Sequence, residues 1–150
     1  MEENLGNKTL AILKPDAVEK KVTGQIIARI QEAGFTIMGI KMTKLTDSTA
    51  TGFYEIHKDK PFFGELLGYM TSGPCIPIAL IKENAVEDFR KLIGATDPQK
   101  ADEGTIRKDF AESITRNIVH GSDSDENAEK EIAYFFSRSE LIQNRGLNCC

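Results

Sequence analysis

Two histidines occur in the chain, and their neighbours set them apart. His57 lies in His57-Lys-Asp-Lys-Pro61, a charged turn in which a solvated side chain is the expected reading. His120 ends an apolar run and is followed by Gly121-Ser122-Asp123, so a strand would deliver its imidazole to a loop where it is both held and reachable. Alone, such a residue reads as a half-buried histidine bonded at a strand end. Its neighbours turn the reading towards chemistry. An imidazole nitrogen is a nucleophile when it is neutral and when the other ring nitrogen is oriented by a hydrogen-bond partner. Ser122 and Glu131 are candidates for that support, and Gly121 allows the backbone to come close. Asp123 and Asp125 read more simply as first-turn or capping carboxylates of a following helix.

Neither GxxxxGK[ST] nor GxGxxG is present. Phosphate, if it binds, must therefore be held by side chains rather than by a glycine-rich loop. Three cations stand at suggestive points: Lys14 at a strand end, Arg90 on a helix, and Arg107 in Gly104-Thr-Ile-Arg107 after a long loop. Arg90 borders the apolar stripe Val86, Phe89 and Ile93, where a snorkelling arginine covering the core edge is the simpler expectation.

The elements that must position these groups follow from periodicity. Thr9–Lys14 reads as a buried strand ended by Pro15. Thr23–Ala33 puts Ile26, Ile27, Ile30 and Ala33 on one helical face, with Gly34 as a stop. Phe35–Lys44 alternates loosely and reads as a strand. Asp47–Ile56 and Phe62–Met70 read as two short helices, and Cys75–Ile81 as a second buried strand. Asn84 and Glu87 resemble a capping box opening a helix that Gly94 closes. Ala95–Gly104 is a long loop, of the kind that is more often functional than filler. Ile118–Val119 leads into His120 as a short strand, and Asp125–Phe136 is helical with acidic groups in its first turn. The order matches a ferredoxin-like β-α-β-β-α-β core with an inserted helical pair, an α+β fold whose sheet is antiparallel with helices on one face. The expectation is one domain across residues 1–150.

Composition narrows the class. Hydrophobic residues are 40% and charged residues 28% of the 150, a globular balance, and no apolar run approaches the length of a membrane span. Met1–Lys8 is polar and acidic, unlike a secretory signal, so the cytoplasm is the default. Three cysteines, Cys75, Cys149 and Cys150, have no paired spacing that would suggest a disulfide framework or a zinc site. A net charge of -4 gives nucleic acid no general electrostatic footing.

Five blocks, Lys14-Pro-Asp16, Pro61-Phe-Phe63, Ser72-Gly-Pro74, Gly104-Thr-Ile-Arg107 and Asn117-Ile-Val-His120-Gly-Ser-Asp123, occur in order. In this the chain resembles the nucleoside diphosphate kinases from about Thr9 to Glu140, and the last block resembles their active-site signature. The resemblance implies a reversible transfer of the terminal phosphate of ATP or another nucleoside triphosphate to a nucleoside diphosphate, in two steps through a phosphohistidine on His120, which maintains triphosphate pools. It implies that Lys14, Tyr54, Arg90, Thr96, Arg107 and Asn117 hold phosphates or ribose. Phe62 would stack on the base, with Ile114 opposite and Leu66 nearby, and Ser122 and Glu131 would orient His120. It also implies Mg²⁺ carried on phosphates and water, with Asp123 touching the water shell, and a homo-oligomer of four or six chains. Lys108 and Glu103 depart from the glycine and proline of many members and bear on the loop's path. The alternatives on the same fold are a catalytically silent regulatory member and a nucleic-acid-binding one. The first would need a lost nucleophile or phosphate-binding position, and none is lost; the second lacks a basic stripe interleaved with aromatics.

Overall fold

The computed structural model describes residues 6–142. The acidic segment beginning at Met1 and the Cys149–Cys150 pair lie outside the described residues. Four strands, β1 (Lys8–Leu13), β2 (Thr36–Ile40), β3 (Ile76–Ile81) and β4 (Val119–Gly121), form one sheet in the order β2-β3-β1-β4. All neighbours are antiparallel, as the ferredoxin-like pattern requires. Seven helices accompany them: α1 (Pro15–Glu19), α2 (Thr23–Glu32), α3 (Asp47–Phe53), α4 (Phe63–Met70), α5 (Ala85–Ile93), α6 (Ile106–Phe110) and α7 (Asp125–Phe135).

Helices cover both faces of the sheet, not one. On one face Ala11 and Leu13 of β1 pack with Ile26 and Ile30 of α2 and with Phe89 and Ile93 of α5. On the other, Leu10 and Ile12 pack with Met70 of α4 and with Ile132 and Phe135 of α7. This explains why β1 and β3 read as unbroken apolar runs rather than alternating ones: a strand covered on both sides has no solvent face to mark. Each fully buried Leu or Ile of β1 contributes about 1.5–3 kcal/mol, so this strand anchors the molecule.

Other expectations shift in detail. Pro15 does more than end β1; it opens α1 from the first helical position, where its missing N–H costs nothing. The second strand is shorter than Phe35–Lys44, with a bulge between Ile37 and Gly39 and only an isolated bridge, Thr43 to Cys75, beyond it. The helix expected over Asp47–Ile56 stops at Phe53 and yields to a 3-10 turn, Glu55–His57. Asn84 forms no capping box: it takes a left-handed conformation (φ 58°), makes no cap bond, and donates to Glu87 and Asp88 at 3.3 Å. Gly94 closes α5 at φ 90° as expected. The cap of α7 is Ser124, accepting from the Asn127 N–H at 3.1 Å, not Asp123 or Asp125.

Candidate active site

His120 is the middle residue of β4 and faces Ile12 of β1 in register. The close approach that seats it requires Gly121, where a Cβ would come within 2.9 Å of Phe89. Three side chains then form a relay. The Leu10 N–H donates to Ser122 Oγ at 3.0 Å, and Ser122 Oγ donates to Glu131 Oε1 at 2.7 Å. The same carboxylate oxygen meets His120 Nε2 at 2.9 Å. A carboxylate oxygen only accepts, so the bond places the ring proton on Nε2 and leaves Nδ1 with its lone pair. Phe53, which sequence reasoning passed over, closes against the ring edge-on at 5.6 Å between centroids.

The backbone leading to His120 is strained. Ile118 is fully buried at φ 73°, and the Val119 N–H reaches the Asn117 carbonyl at 2.8 Å, which makes a γ-turn centred on a β-branched residue. Ile118 therefore precedes the last strand rather than belonging to it. Two groups brace this turn. The Lys14 N–H donates to the Ile118 carbonyl at 2.9 Å. Arg107 spreads its guanidinium over three carbonyls: Nε to Asn117 at 3.3 Å, Nη2 to Val119 at 2.8 Å and Nη1 to Gly94 at 2.9 Å.

A cleft of about 550 Å³ opens in front of this framework. Lys14, Arg90, Thr96, Arg107 and His120 line it, with Lys91, Lys100 and the single carboxylate Asp102. Five cations against one anion make this an anion site by charge alone. Lys91 and Lys100 were missed in the sequence, where surface lysines carry no mark. Arg90 is exposed and lines the cleft. Lys14 is buried and donates from Nζ to Asn117 Oδ1 at 2.8 Å. Desolvation, then the Arg107 charge, pull its ammonium down to about 8, against an opposing pull from Asp16. Burial and Arg90 lower Arg107 to about 10, which leaves it charged at neutral pH.

The remaining candidates are not among the residues that line the cleft. Tyr54 is buried, its ring 4.9 Å from Phe53. Phe62 and Ile114 stand 44% and 58% exposed, apolar surface that the chain alone leaves uncovered. Leu66 packs partly buried on α4. His57 is not freely solvated: its ring lies between those of Tyr54 and Phe62, at 6.4 and 5.9 Å. Asp123 is exposed and accepts from Asn127 at 2.7 Å. Lys108 lies inside α6, whose cap Thr105 accepts from the Lys108 N–H at 3.3 Å, and neither Lys108 nor Glu103 is among the residues that line the cleft. Among the described residues no cluster of three or more His, Cys, Asp or Glu side chains could hold a metal.

A nucleophilic histidine facing a cationic cleft is what phosphoryl exchange through a histidine would require. Comparison with known proteins agrees: the nucleoside diphosphate kinase family model matches residues 7–141. The chain belongs to the nucleoside diphosphate kinase family. It is 57% identical over 137 residues to the nucleoside diphosphate kinase of Salinibacter ruber, covering 91% of this chain and 96% of that one. That of Chloroherpeton thalassium is 58% identical, covering 91% and 97%. A crystal form of the Aquifex aeolicus nucleoside diphosphate kinase superposes with a TM-score of 0.89 at 40% identity, covering 91% of this chain and 99% of that one. The Halobacterium salinarum nucleoside diphosphate kinase, solved in complex with CDP, superposes at 0.87 with 37% identity and 91% coverage of each. This nucleoside diphosphate kinase family member is an enzyme that transfers phosphate between nucleotides. No helix among the described residues is long and apolar enough to cross a membrane.

Proposed function

We infer that the enzyme works in two half-reactions through a phosphohistidine on Nδ1 of His120. The terminal phosphorus of a nucleoside triphosphate is attacked in line by Nδ1. The bond to the bridging oxygen breaks, its electron pair stays on the departing diphosphate, and a phosphorus–nitrogen bond forms. A second diphosphate then attacks the phosphohistidine in the reverse sense, which regenerates the imidazole. The relay Leu10–Ser122–Glu131–His120 is the observation that carries this reading, because it commits Nε2 and turns a free Nδ1 lone pair to the cleft.

Phosphoryl transfer asks for positioning and charge neutralisation more than for acid–base chemistry. Lys14, Arg90 and Arg107 supply positive charge; the donors of Arg107 not spent on carbonyls are free for phosphate oxygens. Thr96 and Asn117 take phosphate or ribose groups, with Tyr54 beside them. Phe62 and Ile114 would close on the two sides of the base, with Leu66 nearby, which fits their exposure here. CDP in the Halobacterium relative supports nucleotide substrates for this chain. Mg²⁺ fits as a companion of the nucleotide: the cleft is lined by cations, so the nucleotide's phosphates and water would hold the ion, and Asp123 would touch its water shell. Bound there, it would neutralise phosphate charge. The chain would act as one domain in a homo-oligomer of four or six copies in the cytoplasm, sustaining triphosphate pools.

The test is to incubate the protein with ATP labelled in its γ-phosphate and no acceptor. Label on the chain that resists alkali, is lost in acid and disappears from His120→Asn is expected. Retained labelling in that variant would end the assignment.

A further inference from the structure

Nothing in the nucleotide site yet uses the acidic side chain two residues beyond Lys14. Asp16 is only 1% exposed, and neither carboxylate oxygen has a hydrogen-bond partner among the described residues. It is not a helix cap: the residue at that position of α1 is Lys14, and no side chain caps the helix. Nor does it belong to a surface ion pair. A buried, unpartnered carboxylate is costly to fold around unless its charge serves something nearby. Two cations lie near it: Arg116, which lines the same small pocket, and Lys14, two residues before it, also buried and hydrogen-bonded among the described residues to the neutral amide of Asn117.

We propose that Asp16 is a positioning residue for phosphoryl transfer, a sealed counter-charge whose field keeps the buried Lys14 ammonium protonated and seated in the cleft. The proposal rests on the reading of Lys14 as a phosphate-binding cation. The other charged groups near Lys14 work against its charge, while the Asn117 amide oxygen and the Tyr69 ring give it uncharged support. Arg107 from α6 repels it, Arg90 of α5 and His120 of β4 line the same cleft, and Tyr69 of α4 presents its ring 5.9 Å from Nζ. Arg116 lies against that same ring at 5.5 Å, adding a further cation to the neighbourhood. Among the described residues Asp16 is the one negative charge that acts in the opposite direction on Lys14. Tyr69 has a part in this: burial first and then Asp16 raise its phenol well out of the neutral range. Its hydroxyl therefore keeps its proton beside the carboxylate, although the oxygens fall outside hydrogen-bond geometry.

The sign of the effect follows. Burial depresses the Lys14 ammonium to about 8 even with Asp16 in place. Neutralising Asp16 removes the one negative charge that supports the ammonium, so Lys14 loses its proton at lower pH and the cleft loses a cation as the pH rises. The experiment is competitive acetylation of Lys14 across pH on the folded protein, read by peptide mass spectrometry, beside a pH profile of kcat/KM. Asp16→Asn is expected to move the Lys14 midpoint down by roughly half a pH unit or more. The alkaline limb of kcat/KM should move with it, with activity near that of the unsubstituted enzyme at pH about 6.5 and a loss of about two- to threefold by pH about 8.5. Tyr69→Phe should move the midpoint the same way by less, and the exposed Glu19→Gln should not move it. An unmoved Lys14 midpoint in Asp16→Asn overturns the proposal, as does a loss of activity equal at every pH. If Asp16→Asn does not fold, an unmoved midpoint in Tyr69→Phe overturns it instead. A midpoint that moves while kcat/KM does not follow would uphold the Asp16–Lys14 pairing and count against Lys14 as a phosphate-binding group.

Discussion

Ser122→Ala tests how much of the site's rigidity comes from one hydroxyl. That hydroxyl accepts from the Leu10 N–H at 3.0 Å and donates to Glu131 at 2.7 Å, and the residue is fully buried. Removing it leaves a sealed backbone N–H without an acceptor, at a cost of about 1–3 kcal/mol, and removes a hydrogen bond to a charged acceptor worth about 1.5–3 kcal/mol. The two losses share one atom and do not simply add, so a destabilisation of about 3 kcal/mol is expected. For a chain of this size that corresponds to a fall in Tm of about 6–12 °C. Ser124→Ala is the comparison, since it deletes the cap of α7 at about 1 kcal/mol without touching the relay. Differential scanning calorimetry of both variants gives the two numbers side by side. In the folded fraction at about 25 °C, kcat should drop roughly tenfold, since Glu131 would hold Nε2 without its second anchor. A fall in Tm no larger than that of Ser124→Ala would mean that Leu10 has an equivalent acceptor elsewhere and that the hydroxyl does not anchor the relay.

Glu131→Gln keeps an acceptor for Nε2 but removes the charge opposite the ring, and should slow phosphoenzyme formation about 10–100-fold in rapid-quench assays while Tm moves by little. Gly94→Ala, at φ 90° with Thr105 Oγ1 2.6 Å from the added Cβ, should displace the carbonyl that Arg107 Nη1 holds, raising KM for nucleotide and lowering Tm. Gly121→Ala should cost about 1–3 kcal/mol in denaturant unfolding through its clash with Phe89. Phe62→Ala should weaken ATP, GTP, CTP and UTP alike and narrow a modest purine lead in kcat/KM, since stacking is worth about 1–3 kcal/mol for any base; a 10⁴-fold preference for one base would require an edge-reading contact.

What the sequence disclosed followed from how strongly each feature constrains residue type. β1 and β3 were legible because burial on both faces demands an uninterrupted apolar run. Yet the same runs cannot say that two helical layers are present, and the second layer of α3, α4 and α7 went unanticipated. The five-residue helices α1 and α6 are too short to show a period. Lys14, Arg90 and Arg107 could be singled out as isolated cations, but not their tasks: Arg107 spends three donors on carbonyls, a use that any hydrophilic residue list conceals. The γ-turn at Ile118 was invisible for the opposite reason, since isoleucine is among the last residues that a left-handed conformation would select.

The pairing of Ile12 with His120 has a kinetic meaning as well. Residues more than a hundred apart must meet before Ser122 can receive the Leu10 N–H or His120 can take its place beside β1. Closing so long a loop is slow, because its entropy is lost before any contact is gained. β3 and β2 pair over a shorter stretch of chain, so their loop closes at a smaller entropic cost. During synthesis or refolding, competence for transfer is thus acquired with the docking of β4 and α7, and recovered activity times that step directly.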